Sequence, residues 1–180
     1  MKWFEKPPRI LLGLTLLWFV VFVITFSDAG VPFPVWMLLS GLLLTSALLW
    51  TIRLTIAFAK QNEERKLIRP QLNYWISIPA ILGAAVLLGA SPVLLEARVY
   101  LSSDALLRSE VRDGQDDRWI GLFHIRESWQ YGDEIRFLTN ECDLLDHCGI
   151  VYSPDGRPQR RGEDSFDHLY GPWWHWYQSW

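Results

Sequence analysis

Residues 75–95 read WISIPAILGAAVLLGASPVLL, with no charged side chain from end to end. A helix needs about 20 predominantly apolar residues, range about 17–25, to cross the hydrocarbon core of a bilayer. This run qualifies, and it is the third of its kind. Residues 10–27 and 35–52 are likewise uncharged and rich in Leu, Val, Phe and Trp. Trp36 and Trp50 stand near the two ends of the second run, where amphipathic rings favour the membrane interface. The third run differs in texture. Ala80/Ala84 and Ala85/Gly89 place small residues four apart, which lets helix backbones approach closely in lipid. It is the expected packing centre of a three-helix bundle.

Beyond residue 95 the chain changes character. Residues 1–95 carry eight Lys/Arg and four Asp/Glu, whereas residues 96–180 carry nine Arg, no Lys and sixteen acids. The expected fold class is a membrane protein: three transmembrane α-helices in residues 1–95, then a small α+β extracytoplasmic domain with a short antiparallel sheet in residues 96–180. Nucleic acid is excluded as a partner, because phosphate binding needs a basic surface.

Orientation follows from the basic residues. Lys2, Lys6 and Arg9 precede the first run, and none lies in the 28–34 link. Arg53, Lys60, Arg65, Lys66 and Arg69 lie in the 53–73 loop. The positive-inside rule puts the amino terminus and that loop in the cytoplasm. Three crossings then put residues 96–180 outside the plasma membrane. A basic start followed by an apolar run also describes a cleaved signal peptide. The run here exceeds the usual apolar core of about 7–15 residues, which favours a retained anchor.

Cys142 and Cys148 are the two cysteines, both in the acidic part. An extracytoplasmic setting permits a disulfide between them. In the same part, Ser102-Ser103-Asp104 resembles a helix cap and points to a short helix near residues 104–112. Residues 113–118 read as a polar loop. Residues 119–129 alternate as one strand, with Trp119, Phe123, Ile125 and Trp129 on one face, and a turn at Tyr131-Gly132-Asp133 leads to a second strand at 134–139. A third strand is expected at 149–153 and a turn at Pro154-Asp155-Gly156. Residues 159–164 look too polar to bury. The resulting sheet would have three or four strands.

The carboxyl-terminal stretch carries Trp173, Trp174, Trp176, Tyr177 and Trp180, the candidate interface or binding aromatics. Such rings suit a lipid interface, a sugar-stacking or partner-binding surface, or a core. The expectation is a tail folded back on the outer leaflet or on the sheet. His124, His147, His168 and His175 are the candidate metal ligands, but no pair shows the i, i+4 spacing of a helical zinc motif. Asp116/Asp117, Asp133/Glu134 and Glu163/Asp164 fall at turns or loops, where neighbouring carboxylates are solvated rather than arranged around a cleft. No nucleophile elbow, P-loop, dinucleotide fingerprint or HExxH occurs. The apolar runs hold no ionisable group, which speaks against an ion path.

The functional expectation is a non-catalytic binding or assembly module, an accessory component of an envelope complex. Its partners are the lipid bilayer and either a membrane or envelope protein or a second copy, and no cofactor is called for. The alternatives are a membrane-anchored extracytoplasmic hydrolase or metal-dependent enzyme, and a small transporter or channel subunit. Converging histidines and acids would favour the enzyme; an aromatic surface with scattered histidines would favour binding.

Overall fold

The structure is a computed structural model that describes residues 9–59, 72–109, 111, 114–141 and 146–178. Cys142, Trp180 and most of the 53–73 loop lie outside these. Among the described residues, four helices precede a single six-stranded antiparallel sheet. The chain divides into two units, Met1–Val23 with Trp36–Ala90, and Ile24–Val35 with Ser91–Trp180. The 28–34 link, expected to do no more than join two helices, thus belongs to the same unit as the sheet.

The first unit is built from α1 (Arg9–Phe26), α2 (Phe33–Ala59) and α3 (Leu72–Gly89). α1 and residues 33–56 of α2 are long and apolar enough to cross a membrane. Their outward faces bear large apolar side chains, such as Leu17 at 63% exposed and Leu44 at 68%, an unfavourable surface in water. On α3, Trp75, Ile78, Leu82 and Ala85 recur at helical spacing and are buried. Gly89 lies against the Phe22 ring, where an added Cβ would come within 2.8 Å. Of the two small-residue pairs, Ala85/Gly89 faces packed neighbours and Ala80 is exposed. Indole N–H groups tie the helices together: Trp18 Nε1 donates to the Leu39 carbonyl and Trp50 Nε1 to the Trp75 carbonyl, both at 3.1 Å.

The third apolar run is not one helix to residue 95. α3 stops at Gly89 and α4 (Val93–Arg108) starts afresh. Pro92 has no N–H to donate and disfavours helical geometry at Ser91, so the ladder is interrupted there. α3 makes a third candidate span in combination with α4 only if the pair is taken as one broken crossing.

In the second unit α4 runs straight through Ser102-Ser103-Asp104, so the expected cap and the short helix at 104–112 do not occur. The serines are otherwise engaged. Ser103 Oγ donates back to the Tyr100 carbonyl. Ser102 is buried, and its Oγ accepts the Leu122 backbone N–H at 3.0 Å. That contact seats the first hairpin turn on the helix.

The sheet order is β1-β2-β3-β4-β6-β5, with β1 (Gly114–Ile120), β2 (Phe123–Tyr131), β3 (Glu134–Glu141), β4 (His147–Tyr152), β5 (Asp164–Tyr170) and β6 (Trp173–Gln178). Residues 119–129 are therefore two strands rather than one, and the expected 113–118 loop supplies most of β1. The break is at Gly121, whose φ of +60° is open to glycine at little cost. An added Cβ there would also meet Ser102 Cβ at 2.8 Å. Trp173, Trp174, Trp176 and Tyr177 form β6, paired on both sides by β4 and β5, so they are a strand within the sheet rather than a tail folded back on it; Trp180 lies outside the described residues. Trp and Tyr fit a half-buried pleated surface, which is why this stretch is a good interior strand.

Alternation sorts the sheet residues onto two faces, except that β2 changes phase along its length: Phe123 and Ile125 face α4, whereas Trp129, expected on their face, packs on the opposite one. One face meets α4 in a core of Leu95, Val99, Leu106, Phe123, Phe137, Ile150 and Trp173. The other carries a smaller cluster of Leu138, Val151, Phe166 and Trp176, with Trp129 and Trp174 packed beside it.

Candidate functional site

The face away from α4 holds a hollow of about 150 Å³ lined by Trp129, Tyr131, Arg136, Arg161, Asp164, Trp176 and Gln178. Register explains its composition. Trp129 lies opposite Arg136, which lies opposite Val151 and, one strand further, Trp174. Arg136 points to this face because Ile135 and Phe137 point to the other.

The floor is a closed polar network. Arg136 Nε donates to Glu134 Oε1 at 2.6 Å, Nη1 to Asp164 Oδ2 at 2.8 Å and Nη2 to the Gln159 carbonyl at 2.6 Å. Asp164 also accepts Trp176 Nε1 at 3.0 Å and the Arg161 backbone N–H at 3.0 Å. The Arg136 and Asp164 side chains are 4% and 1% exposed. Buried charges persist where partners and hydrogen bonds compensate their desolvation, and here both carboxylate oxygens of Asp164 are engaged. The walls are aromatic. Trp129 meets Trp176 edge-on with centroids 6.1 Å apart. The Arg161 guanidinium stacks on the Tyr131 ring at 3.6 Å from its centroid. The floor is thus rigid and the rim combines flat rings with a cation.

A second cavity of about 390 Å³ lies within the same unit, lined among others by Asp28, Val31, Pro92, Leu95, Asp167, His168 and His175. His175 Nε2 donates to the Ala29 carbonyl at 2.7 Å, which holds the 28–34 link on the sheet. Arg98 secures the same link through Ser27 Oγ at 3.2 Å and Asp28 at 3.5 Å. Burial lowers the His175 pKa from the ordinary histidine value, against the opposing pull of the Ala29 carbonyl and the Asp167 charge. Protonation is therefore resisted by the folded state. Its stability is complete above pH about 6.5 and declines as the pH falls from there through the lowered folded value. His175→Gln keeps a donor for Ala29 without that titration. The stability difference between the native chain and His175→Gln should therefore move in the variant's favour between pH 7 and pH 5, as read by denaturant melts; a pH-independent difference would refute this.

No protein-family model, characterised protein or solved structure matches this chain. Its reading therefore rests on its own geometry.

The four candidate histidines do not converge. His168 and His175 border the second cavity. His168 bonds to the Gly171 carbonyl and stands edge-on to Trp174. His124 sits on β2 beside Trp119, 3.5 Å from Asp117, and His147 opens β4. Among the described residues no three His, Cys, Asp or Glu are placed to hold a metal ion. The candidate aromatics also divide. Trp173 and Trp176 are core residues at 2% and 3% exposed. Trp174 and Tyr177 are half-buried, with the Tyr177 hydroxyl donating to Asp146.

Asp164, expected on a surface loop, is buried. Neither it nor Arg136, Arg161, Trp129 and Tyr131 stood out in the sequence as a site. One signal was present: an arginine in the centre of the alternating stretch 134–139, on the face opposite Ile135 and Phe137, needs an acid within reach on that face.

Proposed function

We propose that this chain is a multi-pass plasma-membrane protein presenting its sheet unit on the extracytoplasmic side as a non-catalytic binding or assembly module, an accessory component of an envelope complex. The observation that carries the reading is the ring-lined hollow with its cationic rim. A binding surface needs aromatic area and a few fixed polar groups, and this face combines both on a rigid floor.

In this reading α1 and α2 are two crossings, and the third is the broken pair of α3 and α4, interrupted at residues 90–92. α3 supplies 18 residues, inside the spanning range of about 17–25. In α4, Leu95, Val99 and Leu106 are committed to the sheet core, so most of this crossing falls to α3. The distribution of Lys and Arg supports a cytoplasmic amino terminus. An external compartment in turn supports a Cys142–Cys148 disulfide.

One labelling experiment tests both. With a membrane-impermeant maleimide on intact cells, Asp155→Cys in the exposed turn should react and Gln61→Cys should react only after permeabilisation. The parent chain should stay unlabelled until a reductant is added. Reaction at position 61 but not 155 in intact cells would invert the topology and remove the proposed role.

A further inference from the structure

We infer that the hollow between β2, β3 and β6 binds a single acidic sugar ring, the carboxylate of a hexuronic acid held by Arg161 and its pyranose face laid on the aromatic walls. The inference rests on the binding-module reading and names the ligand class of that surface. The volume sets the scale. About 150 Å³ lies well below the roughly 300–1,000 Å³ of sites for drug-sized ligands, so it suits one ring with the rest of a chain running outside.

Donors outnumber acceptors around the opening. Both oxygens of Asp164 and both of Glu134 are occupied by Arg136, Trp176, Arg161 and Gln159. They neutralise Arg136 and have little left to offer a ligand. The Arg161 guanidinium is different. Its side chain rests on Tyr131 and makes no ion pair with an acid among the described residues. Stacking fixes its plane while leaving its N–H edge for a carboxylate, the geometry at which guanidinium exceeds ammonium. Tyr131 is occupied by Arg161, so the flat apolar surface that the C–H face of a pyranose requires comes from Trp129, and Gln178 adds an amide for a hydroxyl.

The experiment uses the full chain in detergent micelles, titrated with oligoglucuronate or with an oligoglucose of equal length, and read by calorimetry and by ligand saturation-transfer NMR. Saturable binding of oligoglucuronate is expected, at least tenfold weaker for oligoglucose. Arg161→Gln should cost a further tenfold or more while leaving circular dichroism unchanged, because Arg161 is exposed and its side chain rests on the surface ring of Tyr131. Trp129→Leu should abolish the NMR transfer from ring protons. Absence of saturable binding, or equal affinity for Arg161→Gln and the parent, overturns the inference. If oligoglucuronate fails while a photocrosslinker at Tyr131 still captures one defined envelope protein, the sugar is wrong and the module reading survives.

Discussion

Arg136→Met is expected to unfold the sheet unit while sparing the apolar helices. Arg136 reaches across β3 to compensate two acids, Glu134 at 2.6 Å and Asp164 at 2.8 Å, in a place where Asp164 is 1% exposed. Removing the cation leaves the Asp164 charge buried with only neutral donors, Trp176 Nε1 and the Arg161 amide, beside it. Loss of one partner of a buried pair costs about 3–5 kcal/mol, against a total stability of about 5–15 kcal/mol for a domain. The Gln159 carbonyl also loses its donor, which leaves the 153–163 segment held by the Gln159 and Arg161 amides and the Ser153 backbone bond. Near-UV circular dichroism should lose its aromatic signal at a temperature where far-UV helix signal persists. Arg136→Lys should recover little, because an ammonium cannot span three acceptors in one plane. Arg136→Met with Asp164→Leu should be more stable than Arg136→Met alone, since the uncompensated charge is gone. A single variant that melts within about 1 kcal/mol of the parent would show that the network is not holding the face together.

The helices were legible because a run long and apolar enough to cross hydrocarbon displays its length and composition directly; α1 and α2 meet that test alone, and α3 only together with α4. The one misreading among the apolar runs, the run to residue 95, has a local cause at Pro92. Leu95 is as apolar as any span residue, and only the sheet claims it for a different core. The sheet was legible where a strand alternates around a glycine turn, as at Tyr131-Gly132-Asp133, and illegible where pairing overrode composition. β1 contains Asp116, Asp117 and Arg118, which no periodicity marks as strand; it forms by pairing with β2 and takes a bulge between Gln115 and Arg118. β6 hid behind its richness in Trp, since rings serve a lipid interface and a buried strand equally well. The hollow was hidden for a different reason. Its residues come from positions 129–136, 161–164 and 176–178, and only the β4-β6-β5 crossover brings them together. Sequence neighbours attracted attention as carboxylate pairs, whereas the pair that matters, Arg136 with Asp164, is separated by 28 positions.

Gly149→Ala should be the most damaging single-methyl change in the chain. Gly149 lies in β4, opposite Leu138 on one side and Trp176 on the other, so it is hemmed in by two strands. A Cβ at this position would fall 2.0 Å from the Phe137 carbonyl oxygen, 3.0 Å from its carbon and 3.2 Å from Leu138 Cα. Every one of these is backbone, so no rotamer change relieves the clash. β3 and β4 must separate beyond the usual 4.7–4.9 Å at the centre of the sheet. Separation there also disturbs Phe137 and Ile150, both fully buried against α4, and the adjoining Val151 on the other face. Overpacking a core commonly costs about 1–3 kcal/mol even where side chains can yield; here they cannot, so a loss above that range and failure of the sheet unit are expected. Gly83→Ala provides the contrast. Nothing lies within 4 Å of a Cβ at that position in α3, so the variant should gain helix propensity of about 0.5–1 kcal/mol. Limited proteolysis of the two variants in parallel reads the difference. Cleavage within residues 114–178 should accelerate sharply in Gly149→Ala and stay unchanged in Gly83→Ala, and equal protection in both would mean that β3 and β4 do not approach as closely as this arrangement requires.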